Sequence, residues 1–190
     1  MSITTIAVDC DGVLTDFVGA VAEVYGLPDD FTPPDWEIWK YVGEANERDF
    51  WETIRCQGIE FWQYMLHYET AKLLIQGLNK YVNDNVFLCT TVVDDEYAYM
   101  GRVLWALNTG LKHKGIYFGD KSALANDSVL LIDDKVENCK DFIVKGGHAL
   151  IYPRPWNGHD IEPEDALRHV LLKAGEVCRA SGFTIGMFDK

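Results

Sequence analysis

The stretch AVDCDGVLTDF, residues 7–17, decides how the rest of the chain is read. It completes an apolar run, TTIAVD (4–9), and then sets Asp9 and Asp11 two positions apart at the run's end. In a strand, side chains at that spacing leave on the same side. Two carboxylates held there repel each other, and burial strengthens the repulsion. A hard divalent cation is the obvious compensation, and magnesium takes oxygen ligands.

Similar apolar runs recur as NVFLCTT (85–91), GIYF (115–118), SVLLID (128–133) and HALIY (148–152). Near-continuous hydrophobicity of this kind marks strands covered on both faces of a parallel sheet. Helical patterns fall between the runs, over 13–25, 69–82, 94–107, 135–145 and 163–179. Acids open the third of these, and Pro163 suits a first helical position. The alternation predicts a Rossmann-like three-layer α/β/α fold with a central parallel sheet. Roughly 40 residues separate the first helix from the one beginning near Glu69, far beyond the usual α/β connection. They include a helix-like stretch, 44–54, and the rings of Trp36, Trp39, Tyr41, Phe50, Trp51, Phe61, Trp62 and Tyr64. The expectation is a small helical cap, 27–68, inserted after the first strand–helix unit, with a core domain of 1–26 and 69–190. The tail 182–190 reads either as a short ordered extension or as a frayed end.

Composition narrows the function classes. With 190 residues, 48% of them hydrophobic, the chain can bury one sizeable core and a small lobe. Its net charge of -13 argues against a general polynucleotide binder, whose affinity comes from Lys and Arg on phosphates. A single small anion remains compatible with one local positive site. The five cysteines form no CxxC pair and the five histidines show no paired metal spacing. No leader pattern and no apolar run of ~18 residues is evident, which predicts a soluble, cytoplasmic protein with no membrane partner. A homodimer stays compatible with the sequence.

The strand ends carry residues that apolar strands do not explain: Asp9 and Asp11, then Thr90 and Thr91, then Lys121 after GIYF, then Asp133 and Asp134. In open α/β sheets ligands bind outside the carboxyl ends of the strands, so these positions should converge. Asp9, Asp11, Asp133 and Asp134 can hold Mg²⁺. The Thr90 hydroxyl and the Lys121 charge suit phosphate oxygens. A carboxylate beside the metal can attack phosphorus, and a second can protonate the leaving oxygen and then activate water. Asp9 and Asp11 would take those two catalytic roles.

These residues resemble the motifs of the haloacid dehalogenase superfamily of aspartyl-phosphate phosphatases. The first motif stands as Asp9-Cys10-Asp11-Gly12-Val13, the second as VFLCT ending in Thr90, the third as Lys121 and the fourth as Asp133-Asp134. All four follow the family's order between residues 4 and 152. The resemblance implies that Asp134 is a direct metal ligand and Asp133 its supporting neighbour. Within the superfamily, DGVLTDF, CTT, GDK, LIDDK and RPWN look most like 5'-nucleotidases of the deoxyribonucleotidase type. That likeness implies a nucleoside monophosphate substrate and a base pocket lined by Phe17. It also implies a phosphate-binding hydroxyl at Thr91, where those enzymes carry Ser.

Several residues have plainer readings. Asp16 reads as a solvated helix residue, Asp120 as a helix cap, Arg154 as a loop residue, and each cap ring taken singly as packing. Two other functions stay open: a phosphatase for a sugar or other small metabolite phosphate, and a non-catalytic phosphate-ligand-binding module. A polynucleotide-end phosphatase is disfavoured by the acidic charge.

Overall fold

The computed structural model describes residues 2–91 and 93–180; the tail 182–190 lies outside them. Five strands, β1 (Thr5–Asp9), β2 (Val86–Thr90), β3 (Ile116–Phe118), β4 (Val129–Asp133) and β5 (His148–Ile151), form one sheet in the order β3-β2-β1-β4-β5. Every pairing is parallel, and β1 lies at the centre, hydrogen-bonded to β2 and β4. The helices are α1 (Phe17–Tyr25), α2 (Glu47–Arg55), α3 (Gly58–Gln63), α4 (Ala71–Asn79), α5 (Glu96–Asn108), α6 (Val136–Val144) and α7 (Pro163–Ala180). None of the described helices is long and apolar enough to cross a membrane.

The strands are apolar throughout because both faces are covered. Ile6, Val8, Leu88, Leu130 and Ile132 pack with Leu74 and Leu78 of α4, Trp105 of α5 and Val170 of α7. Ala7, Cys89 and Leu131 turn to the other side, against Phe142 of α6. Burying each such aliphatic side chain stabilises the fold by ~1.5–3 kcal/mol. This is the three-layer Rossmann-like α/β architecture expected from the alternation.

Two element boundaries differ from the sequence reading. Helix α1 begins at Phe17 rather than near residue 13, because 10–15 form a turn. The carbonyl of Cys10 accepts from the amides of Val13, Leu14 and Thr15, and Asp16 then caps α1 by accepting from Gly19 N at 2.9 Å. Asp16 is therefore a cap, not simply a solvated side chain. Helix α2 likewise starts only at Glu47, because Asn46 accepts from Asp49 N and supplies its cap.

The segment between α1 and α4 holds a short 3-10 helix (Ile38–Tyr41), α2 and α3. It is not free-standing. A Cβ on Gly101 of α5 would come within 2.5 Å of Trp62 Cβ and 2.8 Å of the Ile59 carbonyl, so glycine lets α5 approach α3 closely. Phe17, Val18 and Val21 of α1 share a buried cluster with Ile38, Phe50, Ile54 and Trp62 of this segment.

Candidate active site

The ends of β1 and β4 and the helical turn after β3 meet in one place. Lys121 opens the short 3-10 helix Lys121–Leu124, capped by Asp120, which accepts from Ser122 N at 2.9 Å. Its Nζ lies 2.7 Å from Asp9 Oδ1 and 2.7 Å from Asp133 Oδ2, with all three side chains buried. Asp9 Oδ1 also accepts from Cys10 N, which leaves Oδ2 without a hydrogen bond among the described residues. Asp133 is saturated: Lys135 N and Asn138 Nδ2 donate to Oδ1, while Lys121 and Asn138 donate to Oδ2.

Asp134 is different. Its Oδ2 accepts from Trp156 Nε1 at 2.6 Å, but Oδ1 is buried with no partner among the described residues. Asp9, Asp133 and Asp134 each present a carboxylate oxygen within 4.8 Å of the others. Crowding of this kind disfavours the charged forms. Burial, with Asp133 and Asp11 adding and Lys121 opposing, pushes Asp9 up to about 8. Burial, with Asp9 and Asp133 adding and the Trp156 hydrogen bond and Lys121 opposing, holds Asp134 well above the carboxylate range. Burial would lower Lys121, yet Asp9 and Asp133 outweigh it and hold the lysine well above its ordinary value.

A turn after β5 holds Asp134 in place. Asn157 Nδ2 donates to the Asp134 and Tyr152 carbonyls, both at 2.8 Å, and its Oδ1 accepts from Arg154 N. Arg154, read from sequence as a loop residue, is buried, with its Nε bonded to the Gly12 carbonyl and its guanidinium 3.8 Å from the Tyr68 ring centre. Gly12 needs to be glycine: its φ is +76°, and a Cβ would sit 2.0 Å from Asp134 Oδ2.

Asp11 does not join the carboxylate group as expected of a metal ligand. Its Oδ1 pairs with Arg102 of α5 and accepts from Thr15 Oγ1 at 2.9 Å. The opposite charge of a buried guanidinium holds that oxygen. The hydroxyls of motif two also divide. Thr91 Oγ1 donates to the Gly119 carbonyl, whereas the Thr90 side chain makes no hydrogen bond among the described residues.

Above these groups opens a cavity of about 700 Å³ that reaches from Asp9, Thr90 and Lys121 to the rings of the inserted segment. Phe17 is in its lining but is only 4% exposed. Four rings enclose it at 6.0–6.4 Å between centroids, those of Trp36, Trp51, Phe61 and Trp62. Half-buried Trp36, Trp39 and Trp51 also line the cavity. Between 27 and 68 the lining carries Asp35, Glu37 and Glu47 and no Lys or Arg.

Sequence reasoning singled out neither Arg102 nor Asn138 nor Trp156 by itself. Arg102 left one signal, a lone charge inside the apolar helical run YMGRVLWAL. Trp156 and Asn157 lay in view within RPWN, but no periodicity ties a turn to a strand end.

No family model and no curated protein matches the sequence. Solved structures do match the fold. A HAD-superfamily hydrolase of subfamily IA from Geobacter sulfurreducens is 17% identical, with 85% of this chain and 92% of that chain covered at a TM-score of 0.51. A HAD family hydrolase from Deinococcus radiodurans, solved with bound phosphate and sodium, is 15% identical over 93% of this chain and 98% of its own, TM-score 0.55. The L-2-haloacid dehalogenase of Xanthobacter autotrophicus is 13% identical over 90% and 83%, TM-score 0.50. The chain thus has the Rossmann-like α/β fold of the HAD hydrolases, a fold that serves more than one chemistry.

Proposed function

We propose that the protein is a magnesium-dependent phosphatase that hydrolyses nucleoside 5'-monophosphates, deoxy ones included, through an aspartyl phosphate on Asp9. The observation that carries this reading is the charge imbalance at the strand ends. Lys121 pairs with two buried carboxylates, Asp9 and Asp133. A third, Asp134, presents an oxygen within 4.8 Å of theirs, and Asp134 Oδ1 has no partner among the described residues. A displacement at carbon brings no dianion to such a site. A phosphate monoester does, and would be repelled without a further cation.

The donor set is all oxygen, which fits Mg²⁺. Asp9 and Asp134 would hold the ion, while Asp133, whose oxygens are fully engaged, orients Lys121 and Asn138. When bound, the ion neutralises phosphate charge and polarises the phosphoryl group. Asp9 Oδ2, free of hydrogen bonds among the described residues, attacks phosphorus as the ester P–O bond breaks. Asp11 gives its proton to the leaving oxygen. It then takes a proton from the water that cleaves the aspartyl phosphate, which releases inorganic phosphate and restores Asp9. Lys121 and the Thr90 hydroxyl bind phosphoryl oxygens. Thr91 is the weaker partner, since its proton already goes to Gly119.

The rest of the cavity supports a nucleoside. Aromatic rings stack on bases for ~1–3 kcal/mol each. Trp36, Trp39 and Trp51 offer the open ring surface, and Phe17 backs them from behind. The acidic lining between 27 and 68 disfavours a second phosphate. The same Asp35, Glu37 and Glu47 would accept hydroxyls of a sugar phosphate, which makes that the second reading. Phosphate release from a panel of nucleotides, sugar phosphates and small esters decides between them. The expected result is the highest kcat/KM on a nucleoside monophosphate and no release after chelation. A sugar phosphate turned over best would select the second reading, and release that survives chelation would remove the metal from the mechanism.

A further inference from the structure

Arg102 lies on α5 and is fully buried, the largest such side chain among the described residues. A guanidinium taken out of water is costly unless it is paired and hydrogen-bonded. A Met or Leu would fill the same space beside α3 without that cost, so the charge calls for an explanation.

Its contacts supply one. Nη2 bonds Asp11 Oδ1, the one ion pair of Arg102 among the described residues, and lies 3.3 Å from Met65 Sδ. Nη1 donates to Thr15 Oγ1 at 3.4 Å, and Thr15 in turn donates to the same Asp11 oxygen. The guanidinium carbon sits 5.1 Å from the Trp62 ring centre and 5.9 Å from that of Trp105. Rings on both helices thus confine the cation, and the cation and Thr15 together hold a single oxygen of Asp11. Oδ2 is left without a hydrogen bond among the described residues, and Asp11 lines the cavity.

We propose that Arg102 is a positioning residue that fixes the Asp11 carboxylate at the cavity edge, so that its second oxygen meets the leaving-group oxygen of the ester. The proposal rests on the phosphatase reading above. It does not require Arg102 to touch the substrate.

The test compares esters whose leaving groups differ in their need for a proton. Nitrophenolate leaves without one, whereas the alkoxide of a nucleoside does not. In Arg102→Met and Arg102→Lys, kcat on a nucleoside monophosphate should fall by ~10²-fold, within the range of general acid–base contributions, with KM within about twofold. The loss in the nitrophenolate burst should be at least tenfold smaller, by the same proton argument. Asp11→Asn should show the same split, and adding Arg102→Met to it should cost little more. Equal losses on both esters, additive losses in the double variant, or failure of both Arg102 variants to fold would each assign Arg102 to packing and overturn the proposal. A parent protein inert toward both esters would refute the phosphatase reading instead. Crystal structures of the parent and Arg102→Lys then decide: an Asp11 carboxylate that turns away in the variant supports positioning, and one that keeps its place overturns it.

Discussion

At the strand ends of the cavity, Lys121 stands 2.7 Å from both Asp9 and Asp133, and both Asp133 oxygens are engaged. On the opposite wall the spacing is that of ring packing, with Phe17 about 6 Å from each of four neighbouring rings. The floor depends on directed bonds between charges, which fail when one partner is removed. The wall depends on undirected apolar and π contacts, which tolerate changes of shape. On the proposed reading, reaction chemistry belongs to the floor and substrate choice to the wall. Arg102 touches both, with Asp11 on one side and Trp62 on the other.

The largest expected effect breaks the floor alone. Asp9→Asn should lower turnover by a factor on the order of 10⁴ or more, because an amide cannot serve as the nucleophile. Nucleotide binding through the wall should persist. Because Asp9 is crowded by Asp133 and Asp11, loss of its charge should not lower the Tm of the metal-free protein. Near-native turnover in Asp9→Asn would end the covalent scheme, and lost nucleotide binding would show that the wall does not act separately.

A smaller effect is expected from the wall. Trp36→Ala should reduce kcat/KM for a nucleoside monophosphate ~10-fold relative to a small alkyl phosphate, consistent with the loss of one stacked ring. Phe17→Ala is a poorer probe, because Phe17 is 4% exposed and its removal leaves a cavity among four rings. Parallel losses on both substrates in Trp36→Ala would return the tryptophan to packing.

The smallest effect is a shift in stability. A carboxylate whose pKa rises on folding holds its proton more tightly in the native state, so its contribution to stability is lost as pH rises. With Asp9 pushed up to about 8 and Asp134 also raised, the chelated protein should lose Tm between pH 5 and pH 8. Mg²⁺ needs the deprotonated carboxylates and should raise Tm more at pH 8 than at pH 5. Equal stabilisation at both pH values would mean that the ion binds away from the floor.

Much of the floor was legible in the sequence because each part of it sits at the end of an apolar run. Asp9, Thr90 and Asp133 are the last residues of β1, β2 and β4, and parallel strands bring such ends together wherever the helices go. The strands themselves were legible for the same reason, since burial on both faces leaves a continuous apolar record. The wall was legible only as a concentration of rings. Composition shows that Trp36, Trp51 and Trp62 are there, but not which of them faces the cavity.

The sequence by itself determined the three-layer α/β architecture, the order of its strands along the chain, and the carboxylate, hydroxyl and lysine positions at the strand ends. These follow from local periodicity, because a strand or helix records its own burial in its own residues. Only the tertiary structure decided that Asp11 turns to Arg102, that Phe17 is enclosed, and that Trp156 and Asn157 secure Asp134. The Arg102–Asp11 contact joins residues 91 positions apart. Such a contact depends on how α5 is rotated and how closely Gly101 lets it approach α3, and no local pattern carries that angle.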